Sequence, residues 1–167
     1  MAITGKVWKY GDDVNTDVIF PGRYTYALMS DEEMGTHALE DLDSNFNKNG
    51  QPGDIIVAGK NWGCGSSREQ AAKCLKARGV GAVVAGSYAR IFYRNSINEG
   101  LPIITCPSAA KMIQSGENIT VDFDKGIITC AAGTIPFKPY PSFVSGIVNN
   151  GGLIPYTQRW LTEHGKL

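Results

Sequence analysis

Asp54-Ile55-Ile56-Val57-Ala58 is a short apolar run bounded by Pro52-Gly53 and Gly59, and Asn61-Trp62-Gly63-Cys64-Gly65-Ser66-Ser67-Arg68-Glu69 follows it closely. Such a run between turn residues predicts a buried strand. Beyond it, Ala71, Ala72 and Leu75 give the stretch from Arg68 to Arg78 an apolar face, which predicts a helix. Either Ser66 or Ser67 can cap its start, since Glu69 and Gln70 each stand three residues after one of them. Gly79-Val80-Gly81-Ala82-Val83-Val84-Ala85-Gly86 reads as a second buried strand. Strand, helix, strand in that order implies a parallel crossover and an α/β fold.

The loop between the first strand and the helix has the chemistry of an anion site. A helix start leaves backbone N–H groups unpaired and carries partial positive charge. Glycines at 63 and 65 let a ligand approach the backbone, and Arg68 adds a two-pronged donor suited to a carboxylate or phosphate. The plainer reading is a capped helix after a glycine turn.

Three better-known motifs fail on these residues. A phosphate-binding P-loop needs Gly-Lys-Ser/Thr, and no lysine precedes a hydroxyl here. The dinucleotide pattern Gly-x-Gly-x-x-Gly has Arg68 in place of its third glycine. A nucleophile elbow requires glycine two residues after the serine, where this chain has Arg68 or Glu69. The only histidines, His37 and His164, show no relay pattern.

Working outward, 167 residues suffice for one well-cored domain, and no compositional break divides residues 1–167. Lys plus Arg number 16, as do Asp plus Glu, so no net charge draws the chain to nucleic acid or anionic lipid. No apolar stretch approaches the roughly 20 residues of a membrane span. Met1-Ala2-Ile3-Thr4-Gly5-Lys6 lacks a signal peptide's apolar region, so the expected location is the cytoplasm. Cys64, Cys74, Cys106 and Cys130 are widely spaced, without metal-ligand spacing, and no metal site is expected. Three of them read as core packing; Cys64, at the helix start, is the one candidate reactive thiol.

Elsewhere, Ile3 to Tyr10 predicts a strand, Gly11 to Asp17 a polar loop, and Ser30 to about Leu42 a capped helix. Arg90 to Asn98 predicts a helix, Leu101 to Cys106 a strand, and Ser108 to Gln114 a short helix. Alternation at Ile119, Val121 and Phe123, then Asp124-Lys125-Gly126 and Ile127-Ile128-Thr129-Cys130, marks a hairpin. A short strand at 133–137 and helices at about 141–149 and 152–164 complete the chain.

Three ordered segments together resemble the small, swivelling domain of the aconitase superfamily, in its isopropylmalate dehydratase branch. They are Gly11-Asp12-Asp13-Val14-Asn15-Thr16-Asp17, Gly59 to Glu69, and Ser87-Tyr88-Ala89-Arg90-Ile91-Phe92-Tyr93-Arg94-Asn95-Ser96. The resemblance reaches the closing Asn149-Asn150-Gly151-Gly152-Leu153. It implies a β/β/α swivelling domain, three-layered, around a mixed and partly parallel sheet. It also implies a two-part active site in a heterodimer or heterotetramer. A separate large subunit would hold a [4Fe–4S] cluster acting as Lewis acid on a small hydroxy-dicarboxylate substrate.

By motif position the resemblance makes Ser66 the base that removes the proton, Arg68 the carboxylate-gripping arginine, and Asp17 an orienting aspartate. Gly65 and Ser67 contribute further contacts. Arg90 and Arg94 could bind a second carboxylate or brace the loop. The segment after Arg23-Tyr24 corresponds to the loop that selects the substrate's variable group, placing Arg23, Tyr26 and Leu28 at the substrate. Thr25, Tyr26, Ala27 and Leu28 carry no positive charge, so an apolar substituent is expected: isopropyl first, methyl or dimethyl as alternative. A non-catalytic anion-binding module is the reading from another class.

Overall fold

The computed structural model describes residues 1–166. One sheet of seven strands runs through it: β1 (Ala2–Lys9), β2 (Ile55–Ala58), β3 (Ala82–Ala85), β4 (Ile103–Thr105), β5 (Asn118–Asp122), β6 (Ile127–Cys130) and β7 (Gly133–Pro136). Their spatial order is β4-β3-β2-β1-β5-β6-β7. β1 through β4 are parallel and the other pairings antiparallel. The seam is β1 itself. Its second half, Val7 to Lys9, pairs with β2, while Ala2 to Lys6 pair with β5.

The parallel strands are apolar on both faces because both are covered. Ile56, Ala58, Val83 and Ala85 face one core, together with side chains of helices α4 (Gln70–Ala77) and α5 (Arg90–Glu99). Ile55, Val57, Ala82 and Val84 face a second core, closed by α6 (Pro107–Met112) and by Ile119, Val121, Ile128 and Ile135 of the antiparallel half. The expected crossover, hairpin and mixed sheet are therefore present, in the expected layers.

Several boundaries differ from expectation for identifiable reasons. The helix foreseen from Arg68 begins at Gln70, and neither serine caps it; Glu69 is its cap residue, without a side-chain bond. Residues 66 and 67 are instead held in the loop by Thr16 and Asn95, as described below. The helix foreseen over 30–42 is only α2 (Asp31–Thr36), capped as expected by Ser30. Leu39, at φ +57°, turns the chain so that its N–H reaches the Ile19 carbonyl at 2.9 Å. Two short helices had no sequence signal: α1 (Thr16–Ile19), which overlaps the end of the loop expected over Gly11 to Asp17, and α3 (Ser44–Asn49). α3 holds because Asp43 accepts from the Asn45 and Phe46 N–H groups and Phe46 packs edge-on against Trp8, ring centres 5.2 Å apart. The last helices are α7 (Ser142–Asn149) and α8 (Leu153–Glu163). Cys74 and Cys106 are buried, while Cys130 is only partly so. Among the described residues no helix is long and apolar enough to cross a membrane.

Candidate active site

The loops leaving the C-terminal ends of β1, β2 and β3 meet at one end of the sheet, where open α/β sheets characteristically place their ligands. Backbone bonds lock them together. Thr16 N–H donates to the Cys64 carbonyl (2.7 Å) and Gly63 N–H to that of Val14 (2.9 Å). Trp62 N–H donates to Ser87 and Ala89 N–H to Trp62, both at 3.0 Å.

Glycine is required at two of these positions. At Gly63 (φ +77°) a Cβ would overlap the Phe92 side chain, and at Gly65 (φ +101°) it would overlap the Asn15 amide. The Gly65 turn presents Ser66, whose N–H donates to Thr16 Oγ1 at 2.9 Å. Ser67 is exposed, and its carbonyl accepts from Asn95 Nδ2 at 3.1 Å.

Arg68 organises the centre. Its Nε donates to Ser66 Oγ at 3.3 Å, its Nη1 to Thr25 Oγ1 at 2.6 Å, and its Nη2 to Asp17 Oδ1. The backbone N–H of Arg68 also donates to Ser66 Oγ, at 3.3 Å. Three of the five guanidinium N–H groups are thus engaged, leaving two for a carboxylate. Ser66 Oγ meanwhile accepts two N–H donors, one belonging to a cation. Donors arranged in this way stabilise negative charge on oxygen. Asp17 is itself fixed, because Asn15 Oδ1 accepts its backbone N–H at 2.8 Å.

Beside this centre opens a cleft of about 610 Å³ lined by Gly63, Gly65, Ser66, Ala89, Arg90, Ile91 and Arg94. No acidic residue is in the lining. Neither Arg90 nor Arg94 pairs with a carboxylate among the described residues. Both stand on α5, one turn apart, and their unpaired guanidiniums give this wall positive charge.

Of the expected site residues, the structure brings Ser66, Arg68, Asp17 and Gly65 together. Tyr26 and Leu28 are fully exposed and join this group only through Thr25. Arg23 turns away, held by Asp41 and Glu40. Cys64 does not line the cleft; its thiol contacts the Asp13 carbonyl at 3.5 Å. Tyr88 is no proton donor for the site: burial drives its phenol pKa far up, and its hydroxyl donates to the Val83 and Ile104 carbonyls. Sequence reading missed Thr16, Thr25 and Asn95 as supporting groups. Among the described residues no three His, Cys, Asp or Glu side chains gather as a metal site.

The model for the aconitase C-terminal domain matches residues 22–109, and the chain belongs to that family. Among its relatives, the 3-isopropylmalate dehydratase small subunit of Ruminiclostridium cellulolyticum is 47% identical over 164 residues, covering 97% of this chain and 100% of that protein. The 2,3-dimethylmalate dehydratase small subunit of Eubacterium barkeri is 47% identical over 159 residues, covering 93% and 96%. The crystal structure of 3-isopropylmalate dehydratase from Methanocaldococcus jannaschii superposes with a TM-score of 0.90 at 41% identity, covering 100% of both chains.

Proposed function

We propose that this chain is the small subunit of a hydro-lyase that isomerises 2-isopropylmalate to 3-isopropylmalate by dehydration and rehydration, a step of leucine biosynthesis. One observation carries the reading: the Ser66 hydroxyl accepts both Arg68 N and Arg68 Nε at the edge of a cleft lined by unpaired arginines. A serine hydroxyl is a poor base unless its anion is stabilised, and that pair of donors stabilises it. Ser66 removes the proton from the carbon next to the hydroxyl-bearing one. Arg68 grips a carboxylate with its two remaining N–H groups, while Asp17 and Thr25 hold the guanidinium in place. Gly65 and Ser67 shape the approach, and Tyr26 and Leu28 form the apolar rim against the substrate's branch.

The small-subunit names of the relatives support a large-subunit partner. The donors of this chain do not fit a [4Fe–4S] cluster, since no three His, Cys, Asp or Glu side chains converge among the described residues. The partner is therefore the proposed bearer of the cluster, which supplies Lewis-acid activation of the substrate hydroxyl. Residues 1–167 act as one domain in a cytoplasmic assembly.

The dimethylmalate dehydratase relative favours a second reading at the same site, with two methyl groups replacing the isopropyl branch. Turnover of both acids by the pair reconstituted with the large subunit separates the two. Turnover of neither acid would reject both and leave an anion-binding module, whereas turnover abolished by Ser66→Ala rejects the module.

A further inference from the structure

Arg23 stands three residues before the exposed Tyr26-Ala27-Leu28 segment, yet its guanidinium is held away from the cleft. Nη1 donates to Asp41 Oδ2 at 2.7 Å and Nη2 to Asp41 Oδ1 at 3.0 Å, a two-pronged pair, while Nη2 also contacts Glu40 Oε1. The guanidinium carbon lies 4.8 Å from the centre of the Tyr24 ring. That ring stacks on His37 at 3.9 Å, and His37 Nδ1 lies 2.6 Å from Glu40 Oε2. The contacts close into a loop: Arg23, Tyr24, His37, Glu40 and back to Arg23.

This ring of contacts holds one flank of a tight turn. Thr25 N–H donates to the Gly22 carbonyl and Ala27 N–H to that of Tyr24, both at 3.1 Å. Thr25 Oγ1 donates to the Gly22 carbonyl at 2.7 Å while accepting from Arg68 Nη1. On the other flank the Tyr26, Ala27 and Leu28 side chains are all exposed, and the chain returns to the core at Met29.

We infer that Arg23 is a positioning residue: clamped by Asp41 and Glu40 and laid on Tyr24, it fixes the turn that carries Thr25 and the Tyr26-Ala27-Leu28 rim, and so governs substrate selectivity without touching substrate. The inference rests on the proposed hydro-lyase reading for its selectivity and on the geometry alone for the brace. An isolated exposed ion pair contributes little, but a two-pronged arginine stacked on an aromatic ring holds a defined geometry. Asp41 is accordingly held below the ordinary carboxylate range by its bond to Arg23.

Two measurements test it. In amide hydrogen exchange on the full chain, Arg23→Gln should speed exchange at Thr25 and Ala27 by about fivefold or more, with β2 and β3 unchanged. In the pair reconstituted with the large subunit, the same variant should narrow the kcat/KM ratio between 2-isopropylmalate and 2,3-dimethylmalate by about fivefold, through KM and with kcat within about twofold. The charge swap Arg23→Asp with Asp41→Arg should recover part of that ratio, because it restores the pair with residue 41 but sets a carboxylate against Glu40 and removes the stack on Tyr24. Arg23→Lys, which keeps the charge and loses the fork, should fall between wild type and Arg23→Gln, and serves if the latter folds poorly. Unchanged exchange at Thr25 and Ala27 overturns the brace. So does a swap that restores slow exchange but not selectivity, because Arg23 would then contact substrate. If the wild-type pair turns over neither acid, the hydro-lyase reading falls, and the exchange result alone decides the brace.

Discussion

Thr25 and Arg68, 43 residues apart in sequence, are joined by a 2.6 Å hydrogen bond from the guanidinium to the threonine hydroxyl. The bond makes one unit of the exposed rim and the proposed carboxylate grip. Thr25→Val keeps the shape and leaves Arg68 Nη1 without this acceptor. The expected outcome is a fall in kcat/KM of about tenfold, with the melting temperature unchanged. An unchanged kcat/KM would show that Asp17 and Ser66 suffice to position Arg68.

Ser66→Ala should lower kcat by about a thousandfold in the reconstituted enzyme while leaving KM near wild type, the pattern of a lost proton-transfer group. Arg68→Lys preserves charge but loses the Nε contact to Ser66 and the fork. Steady-state turnover should drop by about two orders of magnitude or more. Near-normal rates for either variant would remove that residue from the mechanism.

Arg90 and Arg94 line the cleft without carboxylate partners, so replacing either by glutamine should raise KM about tenfold at low salt, with kcat retained. The gap from wild type should narrow as ionic strength rises. If both residues instead brace the loop, the variants would lose melting temperature and show no salt-dependent KM.

Gly63 combines φ +77° with contact against Phe92, whereas Gly11 has open space where its Cβ would lie. Gly63→Ala should destabilise the chain by roughly 2 to 3 kcal/mol, lowering the melting temperature by about 5–10 °C. Gly11→Ala is the control and should melt with wild type. Equal melting of both would mean that the loop relaxes around the added methyl.

Burial raises the pKa of the Cys74 thiol and of the Tyr10 phenol, and the Asp43 charge pushes Tyr10 further. Their ordinary values are 9.0 and 10.0. In each case the folded state favours the neutral form, so the unfolded chain ionises first as pH rises. The associated stability is complete below the ordinary values and is lost progressively above them. Thermal melting followed from about pH 8 to 11 should show a steady decline beginning near pH 9; a flat profile contradicts the assignment.

Much of this architecture is legible in the chain. Ile55-Ile56-Val57-Ala58 and Ala82-Val83-Val84-Ala85 announce themselves because both faces of each strand are buried. α3 is illegible for the opposite reason: Ser-Asn-Phe-Asn-Lys-Asn has one apolar residue and holds through a cap, the burial of Phe46 against Trp8, and bonds that Asn47 and Arg78 make to distant carbonyls. At the site, Ser66 and Arg68 stand out as neighbours in a glycine-flanked motif. Their supports do not, because Thr16 reaches Ser66 across 50 residues and Asn95 reaches Ser67 across 28. Periodicity carries no record of such ties. Arg23 teaches the converse, since proximity in sequence to the selective rim placed it at the substrate while its charge is taken by Asp41 and Glu40.

The seam strand β1 has a consequence for how the chain is born. It is synthesised before the other strands of the sheet, yet Ala2 to Lys6 find their antiparallel partner only at Asn118 to Asp122. At usual synthesis rates that partner trails by on the order of ten seconds. Through that interval the nascent strand has an unsatisfied edge, and its polar alternation at Thr4 and Lys6 tempers the risk of premature pairing. The three loops of the site can gather once β3 and its following loop emerge, before β1 has gained its second neighbour.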